Sequence, residues 1–325
     1  MWLSFAAVLI GLMLLVWSAD RFVIGASAVA RNLGVSPLII GMTILGFGTS
    51  APEMLVSGMA AWGGNPALGV GNALGSNIAN IALVLGFTAI VAPMVVRSEV
   101  LKREFPLLFL VMGVAALLLI DGMLSRVDGL ILLSGVVVML WWMIRLARQE
   151  KGAGQEPLSA EFEGEIPDDM PMGKAVFWLV LGLLVLMGSS RLLVGGAVEI
   201  AEHFGVSDLI IGLTIVAIGT SLPELAATVS AALKKEHEMA IGNVIGSNLF
   251  NLLAVLALPG IIMPAALEPE VMSRDFVVMS VLTVALFLMA YGFKGKDGQI
   301  NRIEGAVLLS AFVGYMVALY FAVVG

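Results

Sequence analysis

The chain repeats one stretch of its own sequence, and the repeat preserves polar residues within apolar surroundings. Residues 34–86 and 205–257 align without a gap at an offset of 171, with 24 identities in 53 pairs. GTSAPE at 48–53 returns as GTSLPE, and GNALGSNIAN at 71–80 returns as GNVIGSNLFN. Packing alone would preserve an apolar pattern, whereas here the polar residues are the ones repeated. The repeat therefore predicts two equivalent halves that both contribute polar groups to one site.

The composition is that of a membrane protein. Of the 325 residues, 60% are hydrophobic and 13% are charged, and the mean hydropathy is +1.03. A spanning helix needs about 20 mostly apolar residues. Ten such segments are predicted, at 2–25, 36–62, 67–93, 105–122, 127–146, 174–198, 206–233, 239–264, 276–293 and 303–324.

The span count fixes how the two halves are related. Five spans per half is an odd number, so the second half must enter the membrane from the opposite face. The predicted fold is an all-α polytopic membrane protein with ten transmembrane helices. They form two inverted five-helix repeats in which helices 2 and 7 are broken. The domains are an N-terminal repeat at 1–148, an acidic cytoplasmic linker at 149–173 and a C-terminal repeat at 174–325.

The basic residues orient this layout. With the N-terminus outside, 14 of the 17 Lys and Arg residues fall at cytoplasmic ends, and Arg126, Arg191 and Arg274 stay outside. This bias follows the positive-inside rule. We expect a multi-pass protein of a prokaryotic plasma (inner) membrane, with both termini outside and the first segment retained as a span.

Both copies of the first motif place a proline in the middle of a predicted span. Pro52 has no N–H, so the carbonyl of Gly48 loses its helical partner, and Ala51 is expected to leave helical geometry. Pro223 has the same effect on Gly219 in the second half. Carbonyls released at membrane depth must be satisfied by protein, water or an ion. A simple proline kink, with nearby hydroxyls bonded back to the helix, is the alternative for this backbone.

The glutamate after each proline is not explained by a kink. A carboxylate in mid-membrane is costly unless it is paired or hydrated. Arg21 and Arg191 lie toward opposite ends of their spans, so neither is expected to neutralise Glu53 or Glu224. A cation is the partner that remains. The chain has no Cys and only two His, so the donors are oxygens, which suit Ca²⁺ or Na⁺ and not zinc or copper.

The second motif adds amide and hydroxyl groups. Ser76 and Asn80 are four residues apart on one helical face, and Ser247 and Asn251 repeat the pair. The same motif has a G-x-x-x-G spacing, which is typical of close helix contacts in membranes. We therefore predict that the glycines bring this helix close to the broken helix and that Ser and Asn face the cavity. The other asparagines are expected to be structural and to hold the broken backbone; they are Asn72, Asn77, Asn243 and Asn248.

On these two motifs, the chain resembles the short prokaryotic members of the sodium/calcium exchanger family of calcium:cation antiporters. The resemblance covers essentially the whole chain and implies alternating access. It implies that Glu53 and Glu224 are shared Ca²⁺ and Na⁺ ligands, together with the carbonyls of Thr49 and Thr220. The flanking Na⁺ sites would be lined by Ser50, Ser221, Ser76, Ser247, Asn80, Asn251 and the backbone at Gly46 and Ala217. Some prokaryotic members carry aspartate where this chain has Asn251, which leaves two acidic groups here.

The expected function is an antiporter that exchanges Na⁺ for Ca²⁺ and extrudes Ca²⁺. The cations are cargo, no cofactor is expected, and the expected partners are inorganic cations and the bilayer. Neither nucleic acid nor an obligatory protein partner is indicated. A proton/calcium or a potassium-dependent antiporter would use the same two glutamates. A cation channel and an intramembrane hydrolase are the remaining classes, but inverted repeats disfavour the first and the missing base beside a serine disfavours the second.

Overall fold

The computed structural model describes residues 2–35, 37–96, 98–152, 170–204, 217–291 and 298–324, and these residues are mostly helical. The helices of the first half are α1 (Trp2–Leu33), α2a (Pro37–Ile40, Gly41–Leu45 and Gly46–Thr49 in succession), α2b (Ala51–Trp62), α3 (Pro66–Val91), α4 (Ser98–Leu119) and α5 (Arg126–Gly152). Those of the second half are α6 (Met172–His203), α7a (Ala217–Thr220), α7b (Leu222–Leu233), α8 (His237–Ile262), α9 (Val271–Met289) and α10 (Arg302–Val324).

Seven described helices are long and apolar enough to cross a membrane, namely α1, α3, α5, α6, α8, α9 and α10. The helices α3 and α8 form the centre, since 72% and 83% of their most apolar windows are buried. In the other five candidate spans, 17–28% of the window is buried, so most of their apolar surface remains exposed. An exposed apolar surface of this extent is that of a protein whose solvent is lipid.

The structure also contains two short antiparallel strand pairs, which the all-α prediction did not include. Strand β1 (Met94–Val96) pairs antiparallel with β4 (Gly298–Ile300), and β2 (Met123–Leu124) pairs with β3 (Ala265–Ala266). All four strands lie in connections between long helices. Each pair joins a connection of the first half to one of the second half, so the two halves are linked outside the helices as well.

Helices extend into both ends of the predicted linker. Helix α5 continues to Gly152 and α6 begins at Met172, so both ends of the predicted linker 149–173 are helical. The apolar segments end earlier than the helices do, because charged residues such as those at 149–151 extend a helix once it has left the apolar region. Residues 153–169, the remainder of the predicted linker, lie outside the described residues.

Helices 2 and 7 are interrupted at equivalent serines. Ser50 has φ −82° and ψ 0°, and Ser221 has φ −88° and ψ 3°, so each is the single non-helical residue between two helical pieces. The prediction that Ala51 leaves helical geometry was wrong by one residue, because Ala51 is the first residue of α2b. Pro52 instead occupies the first turn of that helix, where a missing N–H removes no helical hydrogen bond.

The central helices contain π-helical turns at equivalent positions. Asn80–Leu85 in α3 and Asn251–Val255 in α8 are both π-helical, and each turn begins at the last asparagine of the second motif. Such widened turns are rare and often lie at functional sites. Here they place the two equivalent asparagines at the point where each central helix changes its winding.

The halves approach each other closely at two glycines next to the candidate site. A Cβ at Gly46 would meet the backbone of Gly246 and Ser247 at 2.9 Å, and a Cβ at Gly246 would collide with the Met42 carbonyl. The predicted glycine contact is therefore present between α8 and α2a. The equivalent contact of α3 would involve residues 205–216, which lie outside the described residues.

We expect Gly246→Ala to destabilise the protein, because the added methyl group meets backbone that cannot move aside. Overpacking of this kind costs about 1–3 kcal/mol, so the melting temperature in detergent should fall. Gly314→Ala is the matched control, since no described atom lies within 4 Å of a Cβ at that position on α10. Equal melting temperatures of the two variants would contradict the close approach.

Candidate cation site

The two glutamates of the repeated motif are buried at the centre of the helical bundle. Glu53 lies in the first turn of α2b and Glu224 in the first turn of α7b, with side-chain exposures of 0% and 1%. The two turns face each other, since the hydroxyl of Ser50, just before α2b, lies 3.5 Å from Glu224 Oε1. Among the described residues, no lysine or arginine forms an ion pair with either of them. If both groups are ionised, the pair carries two buried negative charges for which the described residues supply no counterion.

Most of the carboxylate oxygens also lack hydrogen-bond donors. Both oxygens of Glu53 and Oε2 of Glu224 have no described partner. Oε1 of Glu224 accepts a long bond of 3.5 Å from the Ser50 hydroxyl, which belongs to the other half of the chain. Buried carboxylates in proteins normally have several donors, so these oxygens are available to another ligand.

Thr49 and Gly46 of the first half meet the central helix of the second half. The Thr49 hydroxyl donates to the Leu45 carbonyl at 3.0 Å, and its oxygen lies 3.2 Å from the Ser247 hydroxyl. Ser247 in turn lies 3.4 Å from the Gly46 carbonyl, to which it donates. The structure thus brings these three predicted ligands together across the interface between the halves.

Two asparagines hold the glutamate turns. Asn72 Nδ2 donates to the Glu53 carbonyl at 3.1 Å and to the Ser57 hydroxyl at 2.9 Å. At an offset of 171, Asn243 Nδ2 lies 3.5 Å from the Glu224 carbonyl and donates to Thr228 at 2.9 Å. This arrangement agrees with the structural role predicted for both asparagines. Ser57 and Thr228 were not singled out from the sequence, although both carry a hydroxyl at equivalent positions.

Asn243 also has a contact that the sequence did not indicate. Its Oδ1 accepts a hydrogen bond of 3.3 Å from Thr49 Oγ1. One side chain therefore contacts the backbone of the Glu224 turn and a predicted ligand of the other half. This contact makes the position of Thr49 depend on that of Glu224.

The asparagines of the π-helical turns differ in their partners. Asn80 Nδ2 donates to Asn248 Oδ1 at 3.1 Å, while its own Oδ1 has no described partner. Asn251 is fully buried, and neither of its polar side-chain atoms has a described partner. Asn248, predicted to lie on another face, thus contacts a candidate ligand, whereas Asn77 donates to the sulfur of Met279 at 3.4 Å.

The remaining predicted ligands are placed near the breaks and on α3. Ser221 is at the break before α7b, with a buried hydroxyl that has no described partner, and Ser76 on α3 is buried. Thr220 ends α7a and Ala217 begins it. Among the described residues, no hydrogen bond joins Ser76, Ser221 or Asn251 to another predicted ligand.

The unbonded atoms suit a hard cation. Buried polar groups without partners are rare in proteins, and each costs about 1–3 kcal/mol. Among the described residues, seven such atoms lie on the two glutamates, Ser221, Asn80 and Asn251, and six of the seven are oxygens. Carboxylate, hydroxyl, amide and carbonyl oxygens are the donors that Ca²⁺ takes in numbers of six to eight. A divalent cation would also neutralise the two carboxylates.

A cavity of about 400 Å³ opens beside the site, between α2b, α6 and α7. Its wall is mostly apolar and includes Pro52, Gly219, Thr220 and Pro223 of the two broken helices, with Arg191 as its charged residue. The cavity therefore reaches the predicted carbonyl ligand at Thr220. The sequence predicted a cavity at the breaks but gave no indication of which side it opens to.

The helical membrane fold and the buried oxygen cluster define a membrane transporter of inorganic cations, and not an enzyme. A model of the family described as sodium/calcium exchanger protein matches residues 3–145 and 174–321. The chain therefore belongs to the sodium/calcium exchanger protein family. This agrees with the resemblance seen in the two motifs and makes the chain an antiporter of the cation/Ca²⁺ class.

Individual relatives match over nearly their whole length. The putative antiporter CaxA of Alkalimonas amylolytica is 53% identical over 313 residues, covering 96% of this chain and 97% of CaxA. The sodium/calcium exchanger MaX1 of Methanosarcina acetivorans is 29% identical, with coverage of 98% and 99%. A solved structure of the sodium-calcium exchanger NCX_Mj superposes with a TM-score of 0.82 at 32% identity and covers 98% of both chains.

We expect Asn243→Ala to lower the melting temperature in detergent more than Asn77→Ala. The first substitution leaves the Thr228 hydroxyl without its described partner, at about 1–3 kcal/mol, and also removes the contacts of Asn243 with Thr49 and with the Glu224 carbonyl. The control removes one N–H···S contact from a buried asparagine on α3. Equal losses would show that the contacts of Asn243 do not hold the glutamate turn.

Proposed function

We propose that the protein is a secondary antiporter that exchanges Na⁺ for Ca²⁺ across the plasma membrane by alternating access, with extrusion of Ca²⁺ as its direction. The observation that carries the proposal is the buried pair Glu53 and Glu224: among the described residues, three of its four carboxylate oxygens have no hydrogen-bond donor and neither glutamate has a counterion. The sodium/calcium exchangers MaX1 and NCX_Mj, which match over almost the full chain, support Na⁺ as the counter-ion.

In this proposal Glu53 and Glu224 are ligands shared by both ions, with the carbonyls of Thr49 and Thr220. The flanking Na⁺ sites are formed by Ser50, Ser221, Ser76, Ser247, Asn80, Asn251 and the backbone of Gly46 and Ala217. Support comes from the contacts of Thr49, Ser247 and Gly46 across the halves and from the unbonded oxygens of Ser221, Asn80 and Asn251.

Competition for one pair of carboxylates couples the two fluxes. One Ca²⁺ or two Na⁺ neutralise the pair, whereas the empty site leaves two bare charges away from water. Moving those charges through an occluded state is unfavourable, because an unpaired carboxylate at membrane depth is costly. The site therefore changes the side of the membrane to which it is open only when a cation is bound. Exchange of more than two Na⁺ per Ca²⁺ moves net charge across the membrane.

We further propose ten transmembrane helices in two inverted five-helix repeats, 1–148 and 174–325, joined by the acidic cytoplasmic linker, with both termini outside. The strand pairs support this layout. The connections that hold β1 and β4 are both predicted on the inner face, and those that hold β2 and β3 on the outer face. If the span count between two paired strands were wrong by one, those strands would lie on opposite sides of the membrane and could not pair.

The cavity supports access from one side at a time. Its wall on α6 includes Ser190, Arg191 and Val194, and the residues at an offset of 171 on α1 are Ala19, Asp20 and Val23. Ala19 and Val23 are buried, and Asp20 lies 2.7 Å from the ammonium group of Lys234 at the end of α7b. The route equivalent to the cavity is therefore closed, and in the proposed orientation the open route faces outward.

We expect Glu53→Gln and Glu224→Gln each to abolish Ca²⁺ uptake into proteoliposomes, because an amide cannot balance the charge of the cation. Glu199→Gln on α6 is the matched control, since that carboxylate is exposed and bonded to the Ser4 hydroxyl. Equal yield and monodispersity of the three variants would show that folding is intact. Transport by either core variant at the wild-type rate would remove the proposed site.

We expect Na⁺-loaded proteoliposomes at equal pH to accumulate Ca²⁺, and an inside-positive potential to accelerate uptake if net positive charge leaves with Na⁺. The measurement is radioactive Ca²⁺ uptake with the potential clamped by a K⁺ ionophore. Uptake that does not depend on the Na⁺ gradient but requires an acid-inside pH gradient would assign the two glutamates to proton exchange. Uptake that requires K⁺ together with Na⁺ would indicate the potassium-dependent mode.

A further inference from the structure

One released backbone carbonyl at the broken helices has an unusual hydrogen-bond donor. Pro223 has no N–H, so it cannot donate to the carbonyl of Gly219 four residues earlier. In the structure, the Ser190 hydroxyl of α6 donates to this carbonyl at 3.0 Å. Ser190 is itself buried, with 6% exposure. A side chain from a different helix therefore satisfies the Gly219 carbonyl, which lies near the end of α7a, just before the break at Ser221.

This bond lies beside the proposed ion ligands. Gly219 directly precedes Thr220, whose carbonyl is proposed to bind the cation, and both residues line the cavity with Ser190. The Gly219 carbonyl is directed toward α6, and the peptide plane between Gly219 and Thr220 is fixed by that bond. Ser190 therefore holds the backbone at the point where the cavity meets the site.

The described part of the first half has no hydrogen bond equivalent to that between Ser190 and Gly219. At the offset of 171, the residue equivalent to Ser190 is Ala19, which has no hydroxyl. The side chains nearest to a Cβ at Gly48, the equivalent of Gly219, are Leu183 and Phe22, which are apolar. Within the described residues, no side chain donates to the Gly48 carbonyl. The bond is thus a property of one half and does not follow from the repeat.

We propose that Ser190 is a positioning residue for cation binding, which orients the Thr220 carbonyl by fixing the preceding peptide from the cavity wall. The proposal rests on the proposed function of the site. Without the hydroxyl, the Gly219 carbonyl loses its donor and the turn is free to rotate before a cation is bound. The carbonyl of Thr220 must then be oriented by the cation itself, which lowers affinity.

The test is a calorimetric titration of the purified protein in detergent with CaCl₂ and, separately, NaCl. We expect Ser190→Ala to raise the dissociation constant for Ca²⁺ about five- to tenfold, as the loss of one buried hydrogen bond implies. Ser190→Thr keeps the hydroxyl and should restore affinity. Ser189→Ala is the matched control, since the neighbouring Ser189 is equally buried but donates only to Leu186 in its own helix.

The outcomes separate this proposal from the proposed function. Wild-type protein that binds neither ion would remove the proposed function, and the role of Ser190 with it. Wild-type binding together with unchanged affinity in Ser190→Ala would overturn the role of Ser190 alone. A lower melting temperature at unchanged affinity would also overturn it, because it would show that the bond only stabilises the fold.

Discussion

Two carboxylates buried at membrane depth, for which the described residues supply no counterion, are the constraint on which the rest of the structure depends. The oxygens of Glu53 and Glu224 are largely unbonded, and two ionised carboxylates in such a place are costly. In the proposed site, oxygens of the surrounding chain hold a cation that neutralises the pair. The helix breaks, the hydroxyls beside them and the asparagines of the central helices all lie at this point, because each supplies or positions such an oxygen.

The site belongs to both halves, since its contacts run mainly between them. Ser50 of the first half bonds to Glu224 of the second, and Thr49 bonds to Asn243. These contacts require the backbones of α2a and α8 to touch, which is possible because position 246 is glycine. Neither half alone could assemble the cluster, so the duplication in the sequence is a requirement of the site.

The repeat made the residues of the candidate site predictable. The hydrogen bonds between residues far apart in the sequence could not be predicted. The glutamates, prolines and asparagines could be found because they recur at one offset within apolar sequence. The break at Ser50 was displaced from the predicted residue because a proline fits the first turn of a new helix. The contact between Asn80 and Asn248 and the bond from Ser190 join residues 168 and 29 positions apart, and no spacing in the sequence indicates such pairs.

The two copies carry the same proposed ligands but form different hydrogen bonds. The Ser50 hydroxyl donates to Glu224, whereas the equivalent Ser221 hydroxyl has no described partner. Asn80 donates to Asn248, whereas the side chain of the equivalent Asn251 has no described partner. A state in which the copies exchange these bonds would satisfy the same groups and would open the route now closed by Asp20 and Lys234. In the proposed alternating-access cycle, the equivalent residues would form the same kinds of contact in both states. Ser190 and Ala19 differ, so at this position the sequence itself favours one state over the other.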